Sequence, residues 1–134
     1  MKNIITFGTF DVFHVGHLNI LRRAKALGDR LIVGVSSDAL NVKKKGRFPI
    51  YSEGDRLSII QGIRYVDDVF LEESLELKAE YIKEHSAGVL VMGDDWEGRF
   101  DYLSDIVKVV YLARTPSVST TSVIEIIQDT RAAC

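Results

Sequence analysis

The sequence predicts one α/β domain, residues 1–134, built on a doubly wound, five-stranded parallel sheet. Three observations carry this. The apolar runs Ile4 to Phe7, Leu31 to Val35 and Gly88 to Met92 are continuous rather than alternating, as expected of strands covered on both faces. Segments of helical periodicity separate the runs, the pattern of β-α-β units. At 134 residues, 46% hydrophobic and 27% charged, the chain has the size and composition of an ordinary domain with its own core.

The elements follow in order. The run Ile4 to Phe7 meets Gly8, a short polar turn follows, and a helix begins near Val15 to Leu18. Within it Ile20, Ala24 and Leu27 fall at i, i+4 and i+7, with Leu21 beside them, so one face is apolar. Arg22, Arg23 and Lys25 sit in the later turns, where cations suit the helix dipole, and Gly28 is placed at C′. Leu31 to Val35 is the second strand, reached by a right-handed crossover. Ser36-Ser37-Asp38 ends it, and a short helix or loop runs to Val42.

Residues 42–49 then carry four cations in five positions, Lys43, Lys44, Lys45 and Arg47, with Gly46 among them and Pro49 behind. Charge alone allows two readings: a solvated surface loop, or a lid that closes on a polyphosphate. Ser52 is the expected N-cap of a helix with Asp55 at N3, running through Arg64. Leu57, Ile60 and Ile63 share its apolar side, broadened by Ile59, with Arg56 alongside. Val66 to Leu71 is the third strand. Glu72 to Glu84 reads as an exposed amphipathic helix carrying Leu75, Leu77, Ala79, Tyr81 and Ile82, with His85 as a surface residue near its C-terminal end.

Gly88 to Met92 is the fourth strand. Gly93-Asp94-Asp95-Trp96-Glu97-Gly98 follows at its carboxyl end, where open α/β sheets hold ligands. Ile106 to Leu112 is the fifth. A last helix is expected from Ser122 to about Asp129, capped by Ser119 or Thr120, with residues 130–134 frayed.

Composition narrows the function classes. A net charge of −2 supplies no basic field for nucleic acid. No apolar run approaches a membrane span. One cysteine, Cys134, permits no internal disulfide and suits a reducing compartment. Met1-Lys2-Asn3 leads straight into a strand without a signal-type apolar region. The expectation is a cytoplasmic protein that binds neither membrane nor nucleic acid.

The chemistry concentrates between Gly8 and His17. Strand, turn and helix in succession aim free backbone N–H groups at an anion. Two of the three histidines, His14 and His17, flank Gly16 at that helix start, and a glycine there admits close approach of a ligand. A histidine pair three apart also suits a metal, but no third ligand cluster accompanies it. A packed structural pair is the remaining reading.

The string Gly8-Thr9-Phe10-Asp11 followed by His14-Val15-Gly16-His17 resembles the HxGH motif of a nucleotidyltransferase superfamily that includes the cytidylyltransferases. Arg64-Tyr65-Val66-Asp67 and Met92 to Gly98 narrow the likeness to the glycerol-3-phosphate cytidylyltransferase family, over roughly residues 3–129. The resemblance implies a Rossmann-like fold and transfer of a cytidylyl group from CTP to sn-glycerol 3-phosphate, with Mg2+ accompanying CTP. It also implies a homodimer serving teichoic-acid or related polymer synthesis.

Carried over residue by residue, the resemblance makes His14 and His17 phosphate donors and Lys44 the phosphate-neutralising cation. Asp11 is a magnesium or orienting residue, with an Asx turn after Phe10 as the alternative. Thr9, Phe10, Gly16 and Asp94 fall on the nucleotide. So do Arg114, Ser119, Thr120 and Thr121, in a motif that reads Arg-Thr-Pro-Ser-Val-Ser-Thr-Thr with Ser117 where glycine is usual. Arg64 and Lys45 are assigned to the acceptor phosphate, with Arg64 otherwise a last-turn cation. Trp96 lies in the acceptor region or buttresses its loop. The cationic segment departs from the family's spacing by one residue, which leaves Lys45 and Arg47 as alternatives. Other small phosphate acceptors, or ATP with a sugar phosphate, keep the chemistry and change the substrate; a nucleotide-binding module without catalysis is the different class.

Overall fold

The computed structural model describes residues 1–116 and 118–133, with side chains through Asp129. Five parallel strands form one sheet in the order β3-β2-β1-β4-β5: β1 Asn3–Gly8, β2 Arg30–Ser36, β3 Asp68–Glu72, β4 Val89–Gly93 and β5 Lys108–Leu112. The chain starts at the centre, walks out to β3, then crosses back to β4 and β5. The direction of winding therefore reverses between β1 and β4, which opens a crevice at their carboxyl ends.

The two windings cover both faces. Ile4, Leu31, Val33, Val89 and Val91 point into one core with Leu21, Ala24 and Ile60. Ile5, Ile32, Leu90 and Met92 point into the other with Ile82, Leu103 and Val107. Successive strand residues face opposite sides, so a strand covered twice must be apolar at every position. That is why the runs do not alternate.

The described residues form five α-helices, four between strands and one after β5: α1 Val15–Lys25, α2 Asp38–Lys45, α3 Glu53–Gln61, α4 Lys78–Glu84 and α5 Thr120–Ala133. Several bounds differ from expectation. Helix α1 ends with Ala26 as its cap, and Gly28 serves packing instead of a C′ turn: a Cβ there would stand 2.7 Å from the Lys2 carbonyl oxygen. Helix α2 absorbs Lys43, Lys44 and Lys45, so half of the expected cationic loop is helical. Lysine is a good helix former, three cations suit the last turn, and Gly46 at φ 74° terminates it.

Helix α3 is capped by Ser52 as expected, its hydroxyl accepting from the Asp55 N–H, but it stops at Gln61. Strand β3 accordingly starts two residues late, at Asp68, and β5 at Lys108. The expected helix from Glu72 to Glu84 is instead the end of β3, a 3-10 turn at Leu75–Leu77, and α4. Ser119 caps α5, its hydroxyl accepting from the Ser122 N–H, and the helix continues past Asp129 to Ala133. Cys134 and Ser117 lie outside the described residues.

Candidate active site

A cavity of about 630 Å3 opens at the carboxyl ends of the strands. His14 and His17 line its centre. His14 is the N-cap of α1, and its Nδ1 accepts from the Gly16 N–H at 3.0 Å. His17 Nδ1 accepts from the His14 N–H at 3.2 Å. A neutral imidazole has one acceptor and one donor nitrogen, so both rings carry their proton on Nε2. The rings stack with centroids 3.8 Å apart. Burial pushes His14 below the usual histidine range. Burial, reinforced by His14 and opposed by Asp11, pushes His17 down to about 3. Both are therefore neutral Nε2–H donors at physiological pH, two fixed dipoles aimed where an anion would sit.

Gly16 is required by this packing. A Cβ there would stand 2.8 Å from His14 Cε1 and 3.0 Å from Nδ1. Just upstream the backbone is strained: Phe10 and Val12 adopt φ of 53° and 47°, a conformation rare for bulky and for β-branched residues. Asp11 stabilises it. Its carboxylate accepts from the N–H groups of Val12, Ile50 and Tyr51 at 3.1, 2.7 and 2.9 Å, which latches the segment after α2 to the turn. The Asp11 carbonyl accepts from Thr120 Oγ1 at 2.9 Å, tying in α5 as well.

The metal assignment of Asp11 fits this arrangement poorly. Three backbone donors already occupy most of its lone pairs, and among the described residues no three His, Cys, Asp or Glu side chains gather to hold an ion.

Two wings extend from the histidines. On the β4–β5 side lie Arg114, Thr115, Ser119, Thr120 and Thr121. Arg114 Nε stands 3.8 Å from Asp94 Oδ1, while Asp95 rather than Asp94 lines the cavity. Asn19 holds this segment in place by donating to Thr115 Oγ1 at 3.0 Å. The β2–β3 side is cationic: Lys44, Lys45 and Arg47 line it, with Lys78, Glu72, Ser36 and Asn41. Lys44 Nζ donates to Ser36 Oγ at 3.4 Å, and burial lowers its pKa. Lys45 and Arg47 reach the same wall from either side of Gly46. Trp96 lines the cavity and packs against Phe100, so it both bounds the site and anchors its loop.

Thr9, Phe10, Asp11 and Gly16 also line the cavity as expected. Arg64 does not. It lies in the turn entering β3, at the amino edge of a parallel sheet and opposite the site, exposed, with its guanidinium 5.6 Å from the Tyr65 ring centroid. The neighbouring Asp67 is spent on the fold, accepting from the Leu31 N–H and pairing with Lys25.

Sequence reasoning missed the residue that holds the cationic wing together. Arg56 is 0% exposed. Its guanidinium donates to the carbonyls of Tyr51, Thr9 and Ser36 and to Asp38 Oδ1, at 2.7 to 3.0 Å. The only signal was a charge alongside an apolar stripe. Asn41, 1% exposed, was missed too; its Oδ1 accepts from Thr9 Oγ1 at 2.9 Å.

Comparison with known proteins agrees with this geometry. The model of the cytidylyltransferase-like family matches residues 5–126. The glycerol-3-phosphate cytidylyltransferase of Bacillus subtilis is 49% identical, over 93% of this chain and 96% of that one. The enzyme of the same name from Staphylococcus aureus is 44% identical, over 92% of each. A solved structure, the lipopolysaccharide core biosynthesis protein of Thermoplasma volcanium, superimposes with a TM-score of 0.76 at 28% identity, over 86% of this chain and 98% of that one. With neutral histidine donors at the switch point of a parallel sheet and the family match over residues 5–126, the chain belongs to the cytidylyltransferase-like family.

Proposed function

We propose that this protein transfers a cytidylyl group from CTP to sn-glycerol 3-phosphate, giving CDP-glycerol and pyrophosphate. The observation that carries it is the pair of Nε2–H donors between two anion-receiving wings of one cavity. The relatives named for this reaction, matching over nearly the whole chain, support the substrate pair.

The acceptor's phosphate oxygen attacks the α-phosphorus of CTP in line with the departing pyrophosphate. A phosphomonoester is largely ionised near neutral pH, so the site needs no strong base. It needs positive charge, aligned donors and positioning. His14 and His17 donate to the oxygens that gain charge in the transition state. Lys44, with Lys45 or Arg47, neutralises the triphosphate and the pyrophosphate. Ser119, Thr120 and Thr121 at the start of α5, with Arg114, orient the nucleotide. Magnesium is proposed as the companion of the CTP phosphates, adding charge neutralisation there.

The reading extends to a homodimer that supplies glycerol-phosphate polymer synthesis of the teichoic-acid kind. No helix among the described residues is long and apolar enough to cross a membrane.

The test is pyrophosphate release from CTP and magnesium, with and without sn-glycerol 3-phosphate, against ATP and other phosphate acceptors. Release confined to CTP with glycerol 3-phosphate is expected. Preference for another pair moves the substrate assignment, and CTP binding without release under any pair sinks the catalytic reading.

A further inference from the structure

Strand β5 is an edge of the sheet, and its ladder with β4 ends at the Gly93–Leu112 pair. Beyond Leu112 the chain leaves the sheet and carries Arg114 and Thr115 along the wall of the cavity. Among the described residues, 113–116 make no backbone–backbone hydrogen bond outside the sheet. The approach of Arg114 to Asp94, 3.8 Å between side chains 62% and 44% exposed, is a weak restraint by itself. A segment so placed needs another anchor if its side chains are to meet a ligand in one geometry.

That anchor is α1. Arg23 Nη1 donates to the Ala113 carbonyl at 2.9 Å, and Asn19 Nδ2 donates to Thr115 Oγ1 at 3.0 Å. Asn19 and Arg23 stand at i and i+4, neighbours on one helix face. Their targets bracket Arg114, one residue to each side. Neither is among the described residues that line the cavity, so whatever they do for a ligand passes through the segment they hold. In the sequence Arg23 reads only as a last-turn cation, and Asn19 gives no signal.

The same helix carries the histidine centre. His14 caps it and His17 lies in its first turn. From His17 to Arg23 the axis rises only about 9 Å, a length over which an α-helix is stiff. One rigid element therefore sets the separation between the Nε2–H donors and the residues after β5.

We propose that Asn19 and Arg23 are positioning residues for nucleotide binding. They clamp residues 113 and 115 to α1, so that Arg114 and Thr115 meet the nucleoside end of CTP at a distance from His14 and His17 that the helix fixes. This deepens the proposed reaction and rests on it for the identity of the nucleotide.

The test replaces both clamp residues with good helix formers, Asn19→Leu with Arg23→Met. The expected result is a KM for CTP raised roughly tenfold, while KM for glycerol 3-phosphate changes less than about twofold. Placed in an Arg114→Ala, Thr115→Val background, the same pair should add less than about twofold, because its effect passes through those two side chains. A merely structural pair would exact its full cost in either background. Arg23→Lys keeps a donor for the Ala113 carbonyl and should regain most of what Arg23→Met loses. A rise in KM for CTP under about threefold overturns the proposal. So does an equal rise in both constants, or the full loss recurring in the Arg114→Ala, Thr115→Val background. If the double variant does not fold, Asn19→Ala and Arg23→Met are read singly, and the same split is required of each. Wild-type preference for ATP would move the nucleotide's identity only, and the split is then read with ATP. Should no acceptor be turned over, the reaction fails by itself and calorimetric binding of CTP to the same variants decides. Affinity weaker by about threefold or more supports the clamp, and a smaller change removes it.

Discussion

Asp11 Oδ2 accepts a hydrogen bond from the backbone N–H of Ile50 at 2.7 Å, across thirty-nine residues of chain. With the Tyr51 and Val12 contacts, this makes Asp11 a latch between the strained HxGH turn and the segment that follows the three lysines. It joins the Arg56 contacts to Thr9 and Tyr51 in tying that segment to the histidine centre.

Releasing the latch should loosen that segment before it affects the core. Asp11→Ala is expected to speed amide hydrogen exchange at Ile50 and Tyr51 by tenfold or more, given roughly 1.5–3 kcal/mol for hydrogen bonds to a charged group. Strand amides at Ile4 to Phe7 should be unaffected. Unchanged exchange at Ile50 and Tyr51 would show that the carboxylate is not what holds the segment.

The two histidines should lose catalysis when their Nε2–H donors go. His14→Ala and His17→Ala are each expected to lower kcat about 10²- to 10³-fold, as for other transition-state donors. His14→Asn retains an acceptor where Nδ1 caps the helix, so it should fold normally and still lose turnover. If both alanine variants turn over within tenfold of wild type, the assigned role is wrong.

Acid should weaken the fold through His17. Its folded-state pKa, about 3, lies below its ordinary 6.5, so as pH falls the unfolded chain takes up the proton first. Stability from this group is complete above about pH 7 and is lost between 6.5 and 3, by at most about 1.4 kcal/mol per pH unit. Urea unfolding at pH 7, 5.5 and 4.5 should therefore decline more steeply for wild type than for His17→Gln. Parallel declines would contradict a buried neutral imidazole.

Gly16→Ala should disturb the histidine pair without unfolding the sheet. Its Cβ would meet His14 at 2.8 Å, so the ring must turn away and give up its cap. Overpacking of this kind costs roughly 1–3 kcal/mol. In nitrogen-15 spectra at pH 7, wild type should show both Nδ1 atoms unprotonated, and the variant should lose that signature at His14 alone.

Arg56 should be irreplaceable even by lysine. Its fork serves three carbonyls and Asp38 at once, a geometry an ammonium cannot reproduce. Arg56→Lys and Arg56→Met should each cost on the order of 3 kcal/mol or more in urea unfolding, since buried acceptors lose their partner. A loss under about 1 kcal/mol for lysine would mean that charge alone is at work.

What was legible in the sequence is what local or contiguous chain decides. Strand positions followed from runs that must be apolar at every residue when both faces are covered, and the histidine centre is encoded within the residues from Gly8 to His17. The serine caps of α3 and α5 are likewise set by backbone chemistry a few residues long. The tertiary structure decided the fate of the charges. Whether a lysine or arginine is solvated or buried depends on a partner that sequence distance conceals: Thr9 and Ser36 for Arg56, Glu72 for Lys78, Ile50 and Tyr51 for Asp11. A helical pattern rich in charge therefore read as exposed, although its Lys78 is 2% exposed. Conversely Arg64 read as a ligand contact, because no local signal tells which edge of a parallel sheet a turn will occupy. Hydrophobic burial is additive along the chain and can be read from it, whereas the burial of a charge is settled by pairing and exists only once the fold has closed.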